Sequence, residues 1–295
     1  MTTSRPAIPS PSQSWSRSLD VDVGKMALYG LDRARKAIDC VSASGKAVWV
    51  PDDTSEFDCM HYFGNSAIDN AAAELGLRPG NTVVDLGSGF GATGRYLATN
   101  YGARVVGIEL QKDIHDLAEK INGRSGSEIS EKVRSVNGDF LTLPLSSEPN
   151  SSNELPSRVN HVISLLCILH IRARAELFGR VSEILVPGGR VYIEDYFVKE
   201  PLDEETSRIL RDVIFCPYLP DEKQYRRDLE EAGLQVAKWQ DMTSEWGDFV
   251  HARAADYRKR DEVDENLAAF YDTADWLLRH GKVGGCRITA AKPTS

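Results

Sequence analysis

The run "VVDLGSGFGATGRYL" from Val83 joins an apolar, strand-like segment to a helix-compatible one through Asp85 and the glycines Gly87, Gly89 and Gly91. Glycines at alternate positions of such a turn bare the main chain and the N-terminus of the following helix, so a ligand can come close to backbone N–H groups. Two more acidic positions share this setting. Glu109 and Leu110 close "VVGIEL", where a carboxylate can accept from both hydroxyls of a ribose. Asp139 and Phe140 stand in "GDF", which offers an acceptor for an adenine amino group and a ring face for the base.

These residues need strands to present them. From residue 81 the chain alternates short β-branched runs with amphipathic segments, the pattern of a parallel sheet covered by helices. "NTVVDL", "ARVVGIEL", "KVRSVNGD", "NHVISLLCI" and "RVYIEDY" read as strands, with helices expected over residues 91–100, 113–122 and 173–185, the last closed by a turn at "VPGG". "LPLSSEPNSSNELPSR" reads as a polar loop. Further on, residues 203–215 and 221–232 read as helices, "QVAKWQDM" as a strand, residues 244–279 as one or two helices, and "GGCRITAAK" as a final edge strand. A disordered tail is expected over residues 1–20 and a helical N-terminal cover over 21–80, including a helix at 66–75. The main domain then runs over 81–295, with helical lid insertions at about 197–233 and 244–282. Parallel sheets of this kind bind ligands beyond the carboxyl ends of their strands, where Asp85, Glu109 and Asp139 fall.

Composition narrows the partners. Acidic residues outnumber basic ones, giving a formal charge of -9, and the basic residues are scattered, so a nucleic-acid backbone is not an expected partner. Five cysteines lie far apart without CxxC or metal-ligand spacing, which points to a reducing compartment and to no structural metal. No run has the length of a membrane span and the N-terminus lacks a secretory apolar core. A cytoplasmic location is expected, although the Ser/Pro/Arg-rich opening "MTTSRPAIPSPSQSWSRS" also suits an organellar transit peptide.

The glycines do not fit the dinucleotide spacing GxGxxG, because the third comes one position early. With Asp85 placed to face an ammonium, the set favours S-adenosylmethionine over a dinucleotide. "VVDLGSGFGATGRYLA", "VVGIEL", "GDFLTLPL", "VISLLCILHI" and "LVPGGRVYIEDY" together resemble the ordered motifs of class I S-adenosylmethionine-dependent methyltransferases. That resemblance implies an α/β, Rossmann-like, seven-stranded and mostly parallel sheet whose last strand is antiparallel. It implies that Gly87 and Gly89 line the methionine portion, Glu109 the ribose, and Asp139 and Phe140 the adenine, with the main chain near Leu165 accepting from the methionine amino group.

Within the superfamily, "HYFG" and the long region after "EDY" resemble the small-molecule branch of phosphoethanolamine and glycine/sarcosine N-methyltransferases. The similarity implies that His170, which ends "SLLCILH", serves as base and that Tyr62 pairs with it. An imidazole of ordinary pKa suits removal of an amine proton. The chain departs from the phosphoethanolamine enzymes by carrying Leu166 and Cys167 where they have an acid, and "IFCPYLP" offers no clear counterpart of their phosphate-binding arginine. This argues against a phosphate-bearing acceptor. A thioether acceptor needs no base, and the rings of Tyr196, Tyr218 and Trp246 would shield a cationic product. Arg253, Arg258 and Arg287 are candidates for holding an acceptor carboxylate, and Glu194 with Asp195 makes a poor metal site. The expectation is methyl transfer to nitrogen or sulfur of a small polar metabolite. A protein that binds the cofactor without turnover would carry the same motifs.

Overall fold

A computed structural model describes residues 25–147 and 154–294, which leaves the tail expected over residues 1–20 outside the described residues. The strands are β1 Thr82–Leu86, β2 Arg104–Glu109, β3 Val133–Asn137, β4 Leu145–Ser146, β5 Leu155–Pro156, β6 Val159–Leu165, β7 Leu185–Val198, β8 Gln235–Asp241 and β9 Val283–Ala291. Seven of them form one sheet in the order β3-β2-β1-β6-β7-β9-β8, and β4 with β5 forms a small ladder inside the segment expected as a loop. β1 runs parallel to both β2 and β6, whereas β9 is antiparallel to β7 and β8. The strand order therefore reverses between β1 and β6, and the crevice beyond their carboxyl ends is where such a sheet holds a ligand.

Alternation along the strands builds a core on each face. Val84, Leu86, Val106 and Ile108 pack with Leu177, Phe178 and Ile193 on one side. Val83, Val105 and Ile163 pack with the helix Asn65–Leu75 on the other. Each fully buried aliphatic side chain contributes about 1.5–3 kcal/mol.

Two local expectations need correction. β9 is no edge: it is inserted between β7 and β8, with every residue but its last buried, while the exposed edge is β8. Its glycines explain the fit, since a Cβ on Gly285 would lie 2.1 Å from the Trp246 ring and one on Gly284 would lie 2.6 Å from Phe197. "VPGG" is not a free turn either. β7 starts at Leu185, and Gly188 and Gly189 exchange main-chain bonds of 2.9 Å with Lys292, so these residues extend the ladder to β9.

The segment before β1 folds over the ligand edge. Helix Leu31–Ala43 places Ala34 and Ile38 against Ile114, Leu117 and Ile121 of helix Lys112–Asn122. Helices Thr243–Tyr257 and Glu265–Arg279 cover the other end of the crevice. Among the described residues no helix is long and apolar enough to cross a membrane.

Candidate active site

Two chambers meet at the carboxyl ends of β1 and β6. Gly87, Glu109, Leu110, Asp139 and Phe140 line the inner one. Glu109 is buried and accepts from the N–H groups of Gly89 at 3.0 Å and Gln111 at 2.8 Å. A carboxylate has about four acceptor sites, so lone pairs remain for ribose hydroxyls. Asp139 accepts from Leu141 N–H at 2.9 Å through one oxygen. Phe140 is buried at the same wall. This donor and acceptor set fits an adenosyl group.

The glycines divide into two uses. A Cβ on Gly87 would lie 2.3 Å from Cys167 Sγ, and one on Gly91 would lie 2.8 Å from an Arg95 guanidinium nitrogen. Both residues are at positive φ, and their missing side chains make room for protein atoms. Only at Gly89 would a Cβ meet nothing within 4 Å, while Gly87 is the one of the three that lines the inner chamber. Asp85 lies below the loop, 3 % exposed, with one carboxylate oxygen lacking any partner. Burial, reinforced by the charge of Glu109, pushes its carboxyl up to about 7.

His61, Tyr62, Leu165, Tyr196 and Arg253 line the outer chamber. Tyr29, Leu166 and His170 line both. Leu166 sits at φ +56°, a left-handed conformation uncommon for a leucine, held by its N–H bond of 2.8 Å to the Glu194 carbonyl. Asp195 fixes the next turn. It accepts from Leu169 N–H at 3.1 Å, from the Tyr225 hydroxyl at 2.9 Å and from Arg174 at 3.3 Å. His170 closes that turn, and its Nδ1 lies 2.9 Å from the carbonyl of Phe215, itself at φ +59°. A carbonyl only accepts, so Nδ1 carries the proton and Nε2 keeps its lone pair. Burial pushes the imidazole down to about 4, so it is neutral near pH 7 and a weaker base than its ordinary range suggests.

Other expected site residues are distributed differently. The Tyr62 hydroxyl pairs with the hydroxyl of Tyr196 instead of with His170. Leu165 lines the outer chamber, and the two residues after it, Leu166 and Cys167, line the inner one. Trp246 is fully buried behind the wall, its ring edge-on to Tyr62 at 5.0 Å. Tyr218 is 40 % exposed and lines neither chamber. Glu194 is committed to Arg287 at 2.8 Å and Tyr192 at 2.7 Å, and Asp195 to the turn below His170. Tyr29, which lies in a short turn far before the first motif, has no sequence signal that would have marked it.

Residues 56–273 match the family model of the mycolic acid cyclopropane synthetases. The chain belongs to that family of class I S-adenosylmethionine-dependent methyltransferases. It is 27 % identical over 211 residues to the dimethylglycine N-methyltransferase of Parasynechococcus marenigrum, covering 71 % of each chain. It is 24 % identical over 176 residues to the glycine/sarcosine/dimethylglycine N-methyltransferase of Actinopolyspora halophila, covering 60 % of this chain but 29 % of that one. It is 28 % identical over 200 residues to a wheat phosphoethanolamine N-methyltransferase, covering 67 % of this chain but 36 % of that one. The chain thus spans only about a third of the length of the last two relatives. In fold it is similar to phosphoethanolamine N-methyltransferase 2 of Haemonchus contortus, with a TM-score of 0.74 at 17 % identity over 95 % of this chain and 61 % of that one. It is also similar to a sarcosine dimethylglycine methyltransferase structure from Galdieria sulphuraria, with a TM-score of 0.66 at 18 % identity over 78 % and 85 %.

Asp85 yields a testable proton linkage. Its carboxyl is raised from 3.8 to about 7, so its contribution to stability is complete below about pH 4 and is lost as pH rises through about 7. A ligand ammonium beside it would reverse the preference by favouring the charged form. Cofactor binding at pH 6 is therefore expected to release a proton, read by calorimetry in two buffers of different ionisation heat. Asp85→Asn should abolish its share; an unchanged proton count would place the ammonium elsewhere.

Proposed function

We propose that the protein transfers a methyl group from S-adenosylmethionine to a nitrogen of a small metabolite, with Tyr29, Leu166 and His170 forming the threshold between cofactor and acceptor. The observation that carries this reading is the shared wall between a carboxylate-lined chamber and an aromatic one. The cofactor supplies a methyl group on a positively charged sulfur. Glu109 would hold the ribose hydroxyls, Asp139 the adenine amino group and Phe140 the adenine face. The N-terminal cover over residues 21–80 and the insertions at about 197–233 and 244–282 would close the acceptor side and exclude water.

His170 would accept a hydrogen bond from the acceptor N–H at Nε2 and aim the nitrogen lone pair through the threshold. Alignment of this kind is worth roughly 7–11 kcal/mol in well-oriented reactions. The tyrosine faces of the outer chamber would stabilise the positive charge left on a methylated amine. Relatives named for glycine, sarcosine, dimethylglycine and phosphoethanolamine methylation support nitrogen as acceptor. The low basicity of His170 favours a second reading, a thioether sulfur that becomes a sulfonium without losing a proton.

Incubation with S-adenosylmethionine and a panel of small amines and methylthio acids, followed by mass spectrometry, tests both. S-adenosylhomocysteine formed with a methylated amine is the expected result, and turnover restricted to thioethers would move the acceptor to sulfur. Tight cofactor binding without any S-adenosylhomocysteine would overturn both readings in favour of a non-catalytic binding protein.

A further inference from the structure

Among the described residues, the outer chamber holds one cation without an acidic partner. Arg258 is paired with Asp272 and Glu265, and Arg287 with Glu194. Arg253, by contrast, lies over the rings of Phe249 at 4.7 Å and Tyr271 at 5.9 Å and makes no ion pair among the described residues. It lines the outer chamber and also the cleft leading outward from it, and Leu28, Met60 and Tyr271 are shared by the same two spaces. Apart from Arg253, His61, His170 and the tyrosine hydroxyls, the wall of this chamber is largely apolar, with Leu169, Ile214, Val250, Phe270 and Ala274.

We infer that Arg253 is the anchor for a single carboxylate at one end of an acceptor whose middle is apolar and whose nucleophilic atom reaches the threshold at His170. This rests on the outer chamber being the acceptor site. The ring faces hold the guanidinium at the mouth while leaving its N–H fork free, and a planar fork matches a carboxylate. Charge balance selects the carboxylate over a phosphate. His61 and His170 are both pushed down to about 4 by burial, so Arg253 is the sole formal cation among the described residues lining the chamber. A phosphate dianion would bring a second negative charge into apolar surroundings without compensation, which is costly. The apolar wall would in turn strip water from the chain between the two polar ends.

Binding separates this inference from turnover. Isothermal calorimetry on the full chain with saturating S-adenosylhomocysteine would use pentanoate and hexanoate, their primary amides, and pentyl phosphate as probes. The acids should bind roughly 10- to 100-fold more tightly than the amides, the range expected for a charge-assisted hydrogen-bonded pair. Arg253→Leu should erase that preference while S-adenosylhomocysteine affinity stays unchanged, and Arg253→Lys should restore part of it. Equal binding of acid and amide by the natural chain would overturn the anchor, as would a preference that survives Arg253→Leu. Tighter binding of pentyl phosphate than of pentanoate would overturn the single-charge assignment. Should Arg253→Leu fail to bind S-adenosylhomocysteine through misfolding, the natural chain and Arg253→Lys still decide the matter. A chain that prefers acids but methylates nothing would leave the anchor standing and remove the methyl-transfer reading.

Discussion

His170→Ala is expected to lower turnover of an amine acceptor by about 100-fold, the lower end of the range for proton-transfer groups, while cofactor affinity changes little. The imidazole lies on the wall shared by the two chambers, and its Nδ1 proton is tied to the Phe215 carbonyl at 2.9 Å. Only Nε2 is left to meet the acceptor. Removing the ring deletes the group that orients the amine lone pair, but touches none of Glu109, Asp139 or Phe140. The loss should stay at the lower end because burial holds the imidazole at about 4, which keeps it neutral and able to accept a hydrogen bond but makes it a poor store for a proton. The amine must then arrive neutral or lose its proton onward to solvent.

The pH dependence separates these roles. The folded pKa of His170 is depressed from 6.5, so its contribution to stability is present above about 6.5 and is lost as pH falls through about 4. Amine turnover should therefore rise with pH along the acceptor's own titration and show no limb near 6.5. A limb near 6.5 that disappears in His170→Ala would mean that substrate binding restores ordinary basicity to the ring. A thioether acceptor should lose less than about tenfold in the same variant, since only positioning is removed. Equal losses for amine and thioether would show that His170 merely shapes the chamber.

The sequence exposes the cofactor side far better than the acceptor side, and the reason is geometric. Asp85, Glu109 and Asp139 are read from strand ends, because a parallel βαβ unit repeats its carboxyl edge at a regular spacing. Gly89 and Glu109 then meet through one hydrogen bond that follows directly from β1 lying beside β2. The uses of Gly87 and Gly91 are hidden, since they depend on Cys167 and Arg95 arriving from elsewhere. The acceptor chamber has no such repeat. Tyr62 and Tyr196 are 134 residues apart yet share a hydrogen bond, and Trp246 reaches their layer only because Gly285 has no side chain. Nothing in the spacing distinguishes a wall residue such as Tyr196 from one just behind it such as Trp246. The interior place of β9 is hidden for a related reason: its neighbours β7 and β8 both lie earlier in the chain, β8 across two intervening helices, and the strand's own pattern does not name them.

Asp58→Ala is expected to destabilise the protein by about 3–5 kcal/mol, the cost of leaving a buried charge without its partner. Asp58 and Arg95 lie 2.6 Å apart with side chains 1 % and 2 % exposed, and the pair joins the N-terminal cover to the helix that follows the glycine loop. Arg95 also donates to the Phe90 carbonyl and to Asn122 Oδ1, each at 2.8 Å, so one guanidinium ties the cover, the loop and helix Lys112–Asn122 together. Burial disfavours the charged form of both partners, and their mutual attraction only partly offsets it. The pair is then a weak net stabiliser but a costly one to break by half. Asp58→Leu combined with Arg95→Met should accordingly be close to neutral in urea unfolding while Asp58→Ala alone is not. The double variant should also bind S-adenosylmethionine more weakly, because the Phe90 carbonyl loses the side-chain donor that holds the loop. Equal stability losses in the single and double variants would show that packing volume, and not the unpaired charge, sets the cost. Unchanged cofactor affinity in the double variant would show that the loop keeps its shape without the clamp.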